Sequence, residues 1–475
     1  MIQISSTQRV QPPLPLPEDP TFILLTDMGN ARRFAVQHQN TIRYVQAWGW
    51  VAWDGRRWQQ DDTGRAMRMA RETVHELFHE AQELNAAVTA LMAKAEQAAQ
   101  AGDGIAVELA QRAVAAAQRS AKQMMDWALK SQSRSRMESL LALAKSEPEL
   151  AAATGDFDRS PWLLNTLNGT LDLQSGELRP HDPADMLTKL VQANYDPSAA
   201  CPIWRAFLER IQPDLAIRTF LQRSIGYSLT GLVSEQVFWF LYGTGANGKS
   251  VFSGAIGALL GDYGMKVRAE ALMRKSGDSI PEEVAAMAGR RFALASELGE
   301  GQQLNESLIK DLTGGDRMRA RYLHRNSFEY DPQAKIWMFG NHKPLVTGCD
   351  GGIWRRPRLV PFAVVIPEGE RDPELFARLL GELDGILAWA VEGCREWQAQ
   401  GLTTPAAVQL ATDEFRSESD VVGRFLAECT AAGSGMTGAH ALYQVYRAWS
   451  ENEGHKPMSN TALGRRISER GMLRK

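Results

Sequence analysis

Apolar and polar positions divide this chain into unlike regions. Residues 1 to about 20 are polar and proline-rich, a composition that reads as a flexible arm. Val45 to Trp53 alternates and ends at Asp54-Gly55, which predicts a hairpin. Its tryptophans, Trp48, Trp50 and Trp53 with Trp58 beyond, are expected to form the core of a small sheet. Arg65 to Leu150 is rich in good helix formers and predicts long helices, broken at Gly102-Asp103-Gly104. The Ala-rich part, Leu84 to Ala121, reads as a helical hairpin. Trp162 to Asp185 reads as short strands and turns. Trp204 to Thr230 reads as helical, with Phe207, Ile211, Phe220, Leu221 and Ile225 on its apolar face. Val237 to Tyr242 is an unbroken apolar and aromatic run closed by a glycine, the pattern of a fully buried strand. Two further apolar runs end in polar groups, Phe292 to Glu297 and Lys335 to Asn341. Near the C-terminal end, helices are expected over 419–432, 438–453 and 460–471, the last with Ser459 as N-cap.

Strand, loop and helix in this order predict an α/β fold with a parallel sheet. A mostly helical N-terminal region precedes it and a small helical domain follows. The expected boundaries are a small sheet plus helical region over 21–150, a helical and strand collar over 151–230, the sheet core over 231–370, a helical linker over 371–404 and a C-terminal domain over 405–475. The chain has 475 residues, and at ~100–200 residues per domain it divides into roughly two to four domains.

The run at Val237 leads into Gly243-Thr244-Gly245-Ala246-Asn247-Gly248-Lys249-Ser250, which spells G-x-x-x-x-G-K-S between a strand and a helix. That context is the one a phosphate-binding loop requires. Glycines let successive N–H groups point into one concavity, and the helix N-terminus adds positive partial charge. Lys249 can reach the β- and γ-phosphates of ATP, and the Ser250 hydroxyl can ligate Mg²⁺. Glu297, at the end of a downstream strand, suits either Mg²⁺ or the attacking water. Ser296 stands where a second acid commonly sits, and Glu300 and Glu306 are nearby alternatives. Asn341, at the next strand end, can hydrogen-bond the γ-phosphate or the water. Arg355 and Arg356 suit an arginine finger reaching a neighbouring subunit, or else a basic surface loop. Lys310, Arg317, Arg319 and Arg321 lie around a Gly314-Gly315 turn, with the arginines on one face of a strand. They can follow a nucleic-acid backbone, with Tyr322 or His324 near bases. His75 and His79 share a helix face, but no third ligand accompanies them, so two solvent-facing histidines are expected.

Composition narrows the classes. The net charge of −3 confines any nucleic-acid contact to a channel or loop. Cys201, Cys349, Cys394 and Cys429 lie far apart with no C-x-x-C pair, which argues against a zinc ribbon and a disulfide framework. Neither a signal-peptide pattern nor an apolar run of membrane-spanning length is present, so a cytoplasmic protein is expected, in a bacterial host if phage- or plasmid-encoded.

The loop 243–250, R-F-A-L-A-S-E, L-N-E-x-L-I-K-D-L-T-G-G-D, W-M-F-G-N-H-K-P and D-G-G-I-W-R-R together resemble the phage and plasmid primase–helicase family related to the poxvirus primase–helicase. These are superfamily 3 helicases of the AAA+ class. The resemblance covers about 150 to 370 closely and the rest more loosely. It implies a hexameric ring that hydrolyses ATP at subunit interfaces and translocates 3′→5′ on single-stranded DNA. By motif it assigns phosphate and Mg²⁺ to Lys249 and Ser250, the Walker B acid to Glu297, sensor 1 to Asn341 and the finger to Arg355 or Arg356. The pore-hairpin region falls on Lys310 to Arg325. The family also implies a C-terminal winged helix, with Arg465 and Arg466 on its third helix and a wing due where the chain reaches Met472-Leu473-Arg474-Lys475. Neither the primase domain nor the zinc ribbon of other members is recognisable, so priming is not expected of this chain, and a separate primase or other replication proteins are candidate partners. The leading expectation is an ATP-dependent replicative DNA helicase. An origin-binding or loading ATPase and a small-molecule kinase are the alternatives.

Overall fold

The computed structural model describes residues 24–274, 282–296, 299, 301–321, 327–348, 351–431, 436–454 and 457–470. The chain forms two compact units, one of residues up to Asp54 with Gln59–Ala153, the other of Gly55–Trp58 with Thr154 onward.

In the first unit, the helix Asp27–His38 starts at Thr26, whose hydroxyl accepts from the Gly29 amide at 3.0 Å. The expected hairpin is present as Ile42–Val45 paired antiparallel with Gly49–Trp53. Trp50 packs edge-on against Phe34 and Tyr44, while Trp48, Trp50 and Trp53 stay half-buried. Ala31, Phe34, Ile42, Met69, Leu140 and Leu150 make the core. The helical region resolves into Arg65–Gln100, Gly104–Ser131 and Arg134–Ala144. The break falls where expected, and Asp103 caps the second helix by accepting from the Ala106 amide at 3.0 Å. His75 and His79 are solvent-exposed, and the described residues hold no cluster of metal-ligating side chains.

The second unit is built on a five-stranded sheet. Its spatial order is Pro357–Pro361, Phe238–Tyr242, Lys335–Gly340, Phe292–Ser296 and Gly264–Arg268, all parallel. A parallel sheet is covered on both faces, which is why its central strands read as continuous apolar runs. Successive residues feed two different cores. Trp239, Leu241, Leu294 and Trp337 face one, and Phe238, Phe240, Ala293, Ile336 and Met338 face the other.

Trp239 and Trp337 are directly paired across neighbouring strands and stack with ring centroids 4.6 Å apart and planes 6° apart. Each indole N–H is satisfied by the same helix, Leu215–Ser228. Trp239 Nε1 donates to Ser224 Oγ at 3.0 Å and Trp337 Nε1 to Ser228 Oγ at 3.1 Å, one helical turn further on. Across that helix lies Leu383–Gln400. A Cβ on Gly226 would collide with the Cys394 backbone, and one on Gly393 with the Gln222 carbonyl, so only glycine permits this approach. The helix Leu383–Gln400, which falls within the stretch 371–404 expected as a helical linker, is therefore part of the core. Its Ile386, Leu387, Trp389 and Ala390 are buried.

The C-terminal region holds helices Ala406–Ser419, Val421–Cys429, Ala439–Asn452 and Asn460–Ser468. Ser459 caps the last, accepting from the Ala462 amide at 3.3 Å. Val422, Phe425, Tyr446 and Leu463 form its small core. The wing position, past residue 470, lies outside the described residues. Among the described residues, no helix is long and apolar enough to cross a membrane.

Ser228 accepts from Trp337 and in turn donates to the Ser224 carbonyl at 2.8 Å. Ser228→Ala leaves a buried indole N–H unpaired, and we expect a loss of about 1–3 kcal/mol. Equilibrium urea unfolding followed by tryptophan fluorescence measures it; an unchanged midpoint would mean the hooks do not hold the sheet.

Candidate functional site

The parallel register places Tyr242 opposite Gly340, so the segments leaving these two strands emerge side by side at the carboxyl edge of the sheet. Parallel α/β sheets bind ligands at that edge, where the chain's strand order switches. Here the Phe238–Tyr242 strand has the last strand on one side and Lys335–Gly340 on the other. A cavity of about 550 Å³ lies between Gly245–Val251 and Phe339–His342.

Local conformation explains the loop's composition. Gly245, Ala246 and Gly248 have φ of 109°, 48° and 80°. Gly248 precedes the helix Lys249–Leu260, and a Cβ there would stand 2.6 Å from Ile211 Cγ2. The segment after the last strand supports the loop from below. Phe362 N donates to the Tyr242 carbonyl at 2.8 Å, Ile366 N to the Ala246 carbonyl at 2.8 Å, and Asn247 Nδ2 to the Phe362 carbonyl at 3.1 Å. This support was invisible in the sequence, because Phe362 to Ile366 carries no motif.

Lys249 is 4 % exposed. Its Nζ donates to the Gly243 carbonyl at 2.7 Å and to Asn247 Oδ1 at 3.0 Å. Among the described residues no carboxylate pairs with it. Burial lowers its pKa, and no neighbouring charge acts to raise it. A buried cation with no counter-charge among the described residues, beside an open cavity, favours an anion there. Ser250 is exposed at the start of the helix, and Asn341 and His342 line the opposite wall. His342 was not singled out by sequence; only its place directly after Asn341 hinted at it.

The other expected residues are distributed as follows. Glu297 and Glu300 lie outside the described residues, as do Tyr322 and His324. The carboxylate of Glu306 is committed elsewhere, accepting from the Thr347 and Gly348 amides at 2.8 and 2.7 Å. Lys310 is half-buried on the helix Glu306–Gly314. Arg317 and Arg319 are exposed, with Met318 and Ala320 buried between and beyond them, so the two arginines share a face as expected. Acidic residues attend them: Arg317 Nε bonds Asp331 at 3.2 Å, and Arg319 stands opposite Glu329 in the hairpin Met318–Arg321/Ser327–Tyr330. Arg321 continues that strand.

Arg355 and Arg356 differ sharply. Arg356 is 5 % exposed; its Nε donates to Thr313 Oγ1 at 2.8 Å and its Nη1 to the Gly352 carbonyl. Arg355 is exposed, with Nη2 donating to Gln236 Oε1 at 2.6 Å. Both precede the strand Pro357–Pro361, which runs parallel to Phe238–Tyr242. They therefore sit at the amino edge of the sheet, away from their own chain's loop by the five-residue strand, roughly 16 Å.

Two family models match the chain. Residues 31–213 match a family described as "D5 N terminal like" and residues 241–356 one described as "Family of unknown function (DUF5906)". A protein of Acanthamoeba polyphaga mimivirus named "Putative helicase L207/L206" is 28 % identical over 322 residues, covering 62 % of this chain and 33 % of that protein. A "Putative helicase 022R" of Frog virus 3 is 26 % identical over 309 residues, covering 60 % and 30 %. A "Putative primase C962R" of African swine fever virus also matches, at 21 % identity over 324 residues, covering 62 % and 33 %. The chain thus spans about a third of the length of these relatives. The NrS-1 C-terminal region, a solved structure, has a TM-score of 0.39 and 11 % identity over 62 % of this chain and 73 % of that one, too weak a likeness to carry an argument.

Two alanine substitutions test the loop's packing. Gly248→Ala places a Cβ against Ile211 at positive φ, and an expected loss of about 1–3 kcal/mol follows. Gly257→Ala, in the helix that follows the loop, meets nothing within 4 Å and is expected to be neutral or to stabilise by up to ~1 kcal/mol. The denaturant midpoint should fall for Gly248→Ala and stay level or rise for Gly257→Ala, and equal shifts would contradict this account of Gly248.

Proposed function

This chain belongs to the phage and viral primase–helicase family, and from that premise we propose that it is an ATP-dependent DNA helicase of the superfamily 3, AAA+ type, acting in DNA replication as a ring on single-stranded DNA. The observation that carries the reading is Lys249: a buried ammonium with no carboxylate partner among the described residues, at a strand–loop–helix turn, facing a cavity whose other wall is Asn341. In this reading the sheet core is a P-loop NTPase module and the last helices belong to a winged-helix-like domain. The protein acts in the cytoplasm of its host.

ATP is the substrate. Lys249 would release the Gly243 carbonyl and Asn247 to take the β- and γ-phosphates, exchanging neutral acceptors for charged ones. The loop 243–250 would wrap the phosphates, with the helix start at Lys249 adding its dipole. Mg²⁺, when bound, would supply charge neutralisation at the phosphates; Ser250 Oγ and the Glu297 carboxylate are the groups that would hold it. Glu297 would also orient the attacking water, and Asn341 would fix the water or the γ-phosphate from the opposite wall.

Arg355 is the better finger of the two arginines. It is exposed and loosely held by Gln236, whereas Arg356 is committed to Thr313 and Gly352. Its position at the amino edge supports action on a neighbouring subunit's loop, which makes the site depend on assembly, expected as a hexamer. Lys310, Arg317, Arg319 and Arg321, together with Tyr322 and His324, would face the DNA strand in the ring's channel. Arg317 and Arg319 would exchange Asp331 and Glu329 for phosphates.

Lys249→Ala should abolish DNA-stimulated ATPase activity. Arg355→Ala should lose turnover, on the order of 10³-fold, while still binding nucleotide. Mixing the two inactive variants should restore part of the turnover, since some interfaces then pair an intact loop with an intact arginine; no recovery would count against action in trans. Strand displacement on a forked substrate separates this reading from an origin-binding or loading ATPase, which would hydrolyse ATP yet leave the duplex intact.

A further inference from the structure

The second unit holds another cavity, of about 670 Å³, which shares no lining residue with the cavity beside the loop 243–250. The end of helix Ala406–Ser419, the start of the next helix at Asp420 and the last helix, Asn460–Ser468, meet there with the turn at Thr347-Gly348. Arg416, Arg465, Arg466 and Arg470 line it, against the carboxylates of Asp420 and Glu469, which leaves two positive charges in excess. In a chain of net charge −3, that is a local reversal of sign inside a concavity.

The charges are not all alike. Arg470 is engaged by Asp420, which also caps the helix Val421–Cys429 by accepting from the Gly423 amide at 2.9 Å. That pair is structural and sets the wall. Arg416 and Arg465 are exposed and come from two different helices. Trp354 also lines the cavity, its Nε1 donating to the Gly348 carbonyl at 2.7 Å. Guanidinium groups converging from separate helices onto one hollow repel one another in the absence of a ligand. The arrangement gains most from a bridging polyanion, for which arginine's planar fork is suited to phosphate.

We propose that this cavity binds the phosphodiester backbone of a single nucleic-acid strand, through Arg416 and Arg465, without reading sequence. The geometry favours one strand over a duplex. Arg465 and Arg466 turn into a hollow shared with the helix Ala406–Ser419, so that face of the last helix is not free to enter a major groove, as base reading by a helix requires. Phosphates of one flexible strand fit such a hollow; the broad face of a duplex does not. The site shares with the proposed function only its class of ligand, and its test needs no nucleotide.

The test uses the full chain, a fluorescein-labelled oligo-dT and fluorescence anisotropy over a series of KCl concentrations. Arg416→Gln with Arg465→Gln should weaken binding about tenfold at low salt and reduce the log–log salt slope by about 1.4, the loss of two single-strand phosphate contacts. Both side chains are exposed, so the variant should melt with the wild type. The control is Arg112→Gln with Arg134→Gln, which removes the same charge from exposed helix surface and should change neither quantity. Wild-type affinity and slope in the first variant would overturn the proposal, as would an equal loss in the control. Loss of inorganic tripolyphosphate binding with the oligonucleotide still bound normally would assign the cavity to a free polyphosphate and overturn the strand assignment.

Discussion

The stacked pair Trp239–Trp337 sets the level of everything at the carboxyl edge of the sheet. In a parallel sheet buried on both faces, apolar pattern alone discriminates weakly between registers, because every residue finds an apolar environment. A pair of indoles 4.6 Å apart does discriminate, since a slip of one residue would send them to opposite faces. Ser224 and Ser228 add direction: each N–H reaches a hydroxyl only in this register. With Trp239 opposite Trp337, Tyr242 falls opposite Gly340, and Gly243 and Asn341 begin at the same height. The cavity is a geometric consequence of that pairing.

The opposite edge is held by charge. Arg291 precedes the Phe292–Ser296 strand and Lys335 begins the next, and both are almost fully buried. Arg291 donates to the carbonyls of Leu229, Ser160 and Leu163 and lies 4.6 Å from the Tyr263 ring centre. Lys335 donates to the carbonyls of Thr230, Leu232 and Gln333 and lies over Tyr227. Leu229 and Thr230 end the helix Leu215–Ser228, whose macrodipole is negative there. Burial pushes the Lys335 pKa well down, and the Arg291 charge pushes in the same direction, so the carbonyls must offset a substantial desolvation cost. The helix that hooks both tryptophans is thereby pinned at its own C-terminus.

What could be read from sequence was what is local. The glycine-rich loop, the apolar strands before it and at Lys335, the break at Gly102 and the cap at Ser459 each depend on neighbours within a few residues. The strand Gly264–Arg268 was missed because it is an edge strand with Lys266 and Arg268 exposed, so it lacks an apolar run. Leu383–Gln400 reads as part of a linker in sequence because its partner, Leu215–Ser228, is remote along the chain, and the signal for their contact is a pair of isolated glycines. Arg355 and Arg356 were inseparable for a different reason. Side chains alternate sides as the chain enters a strand, so adjacent identical residues met a buried threonine in one case and solvent in the other.

That alternation bears on how the candidate site is completed. Within one chain, Lys249 and Arg355 stand at opposite edges of one sheet, and no side-chain rearrangement brings them together while the strand Phe238–Tyr242 remains intact. One continuous series of contacts does leave the loop's edge. Lys343, two residues beyond Asn341, bonds Glu418 at 2.7 Å and lies near the Tyr242 ring. Thr412, on the same helix as Glu418, accepts from the Leu359 amide at 3.1 Å, and Phe415 packs edge-on against Trp354, the residue before Arg355. The helix Ala406–Ser419 therefore touches the segment leaving the cavity, the last strand of the sheet and the base of the arginine pair, and its end lines the second cavity.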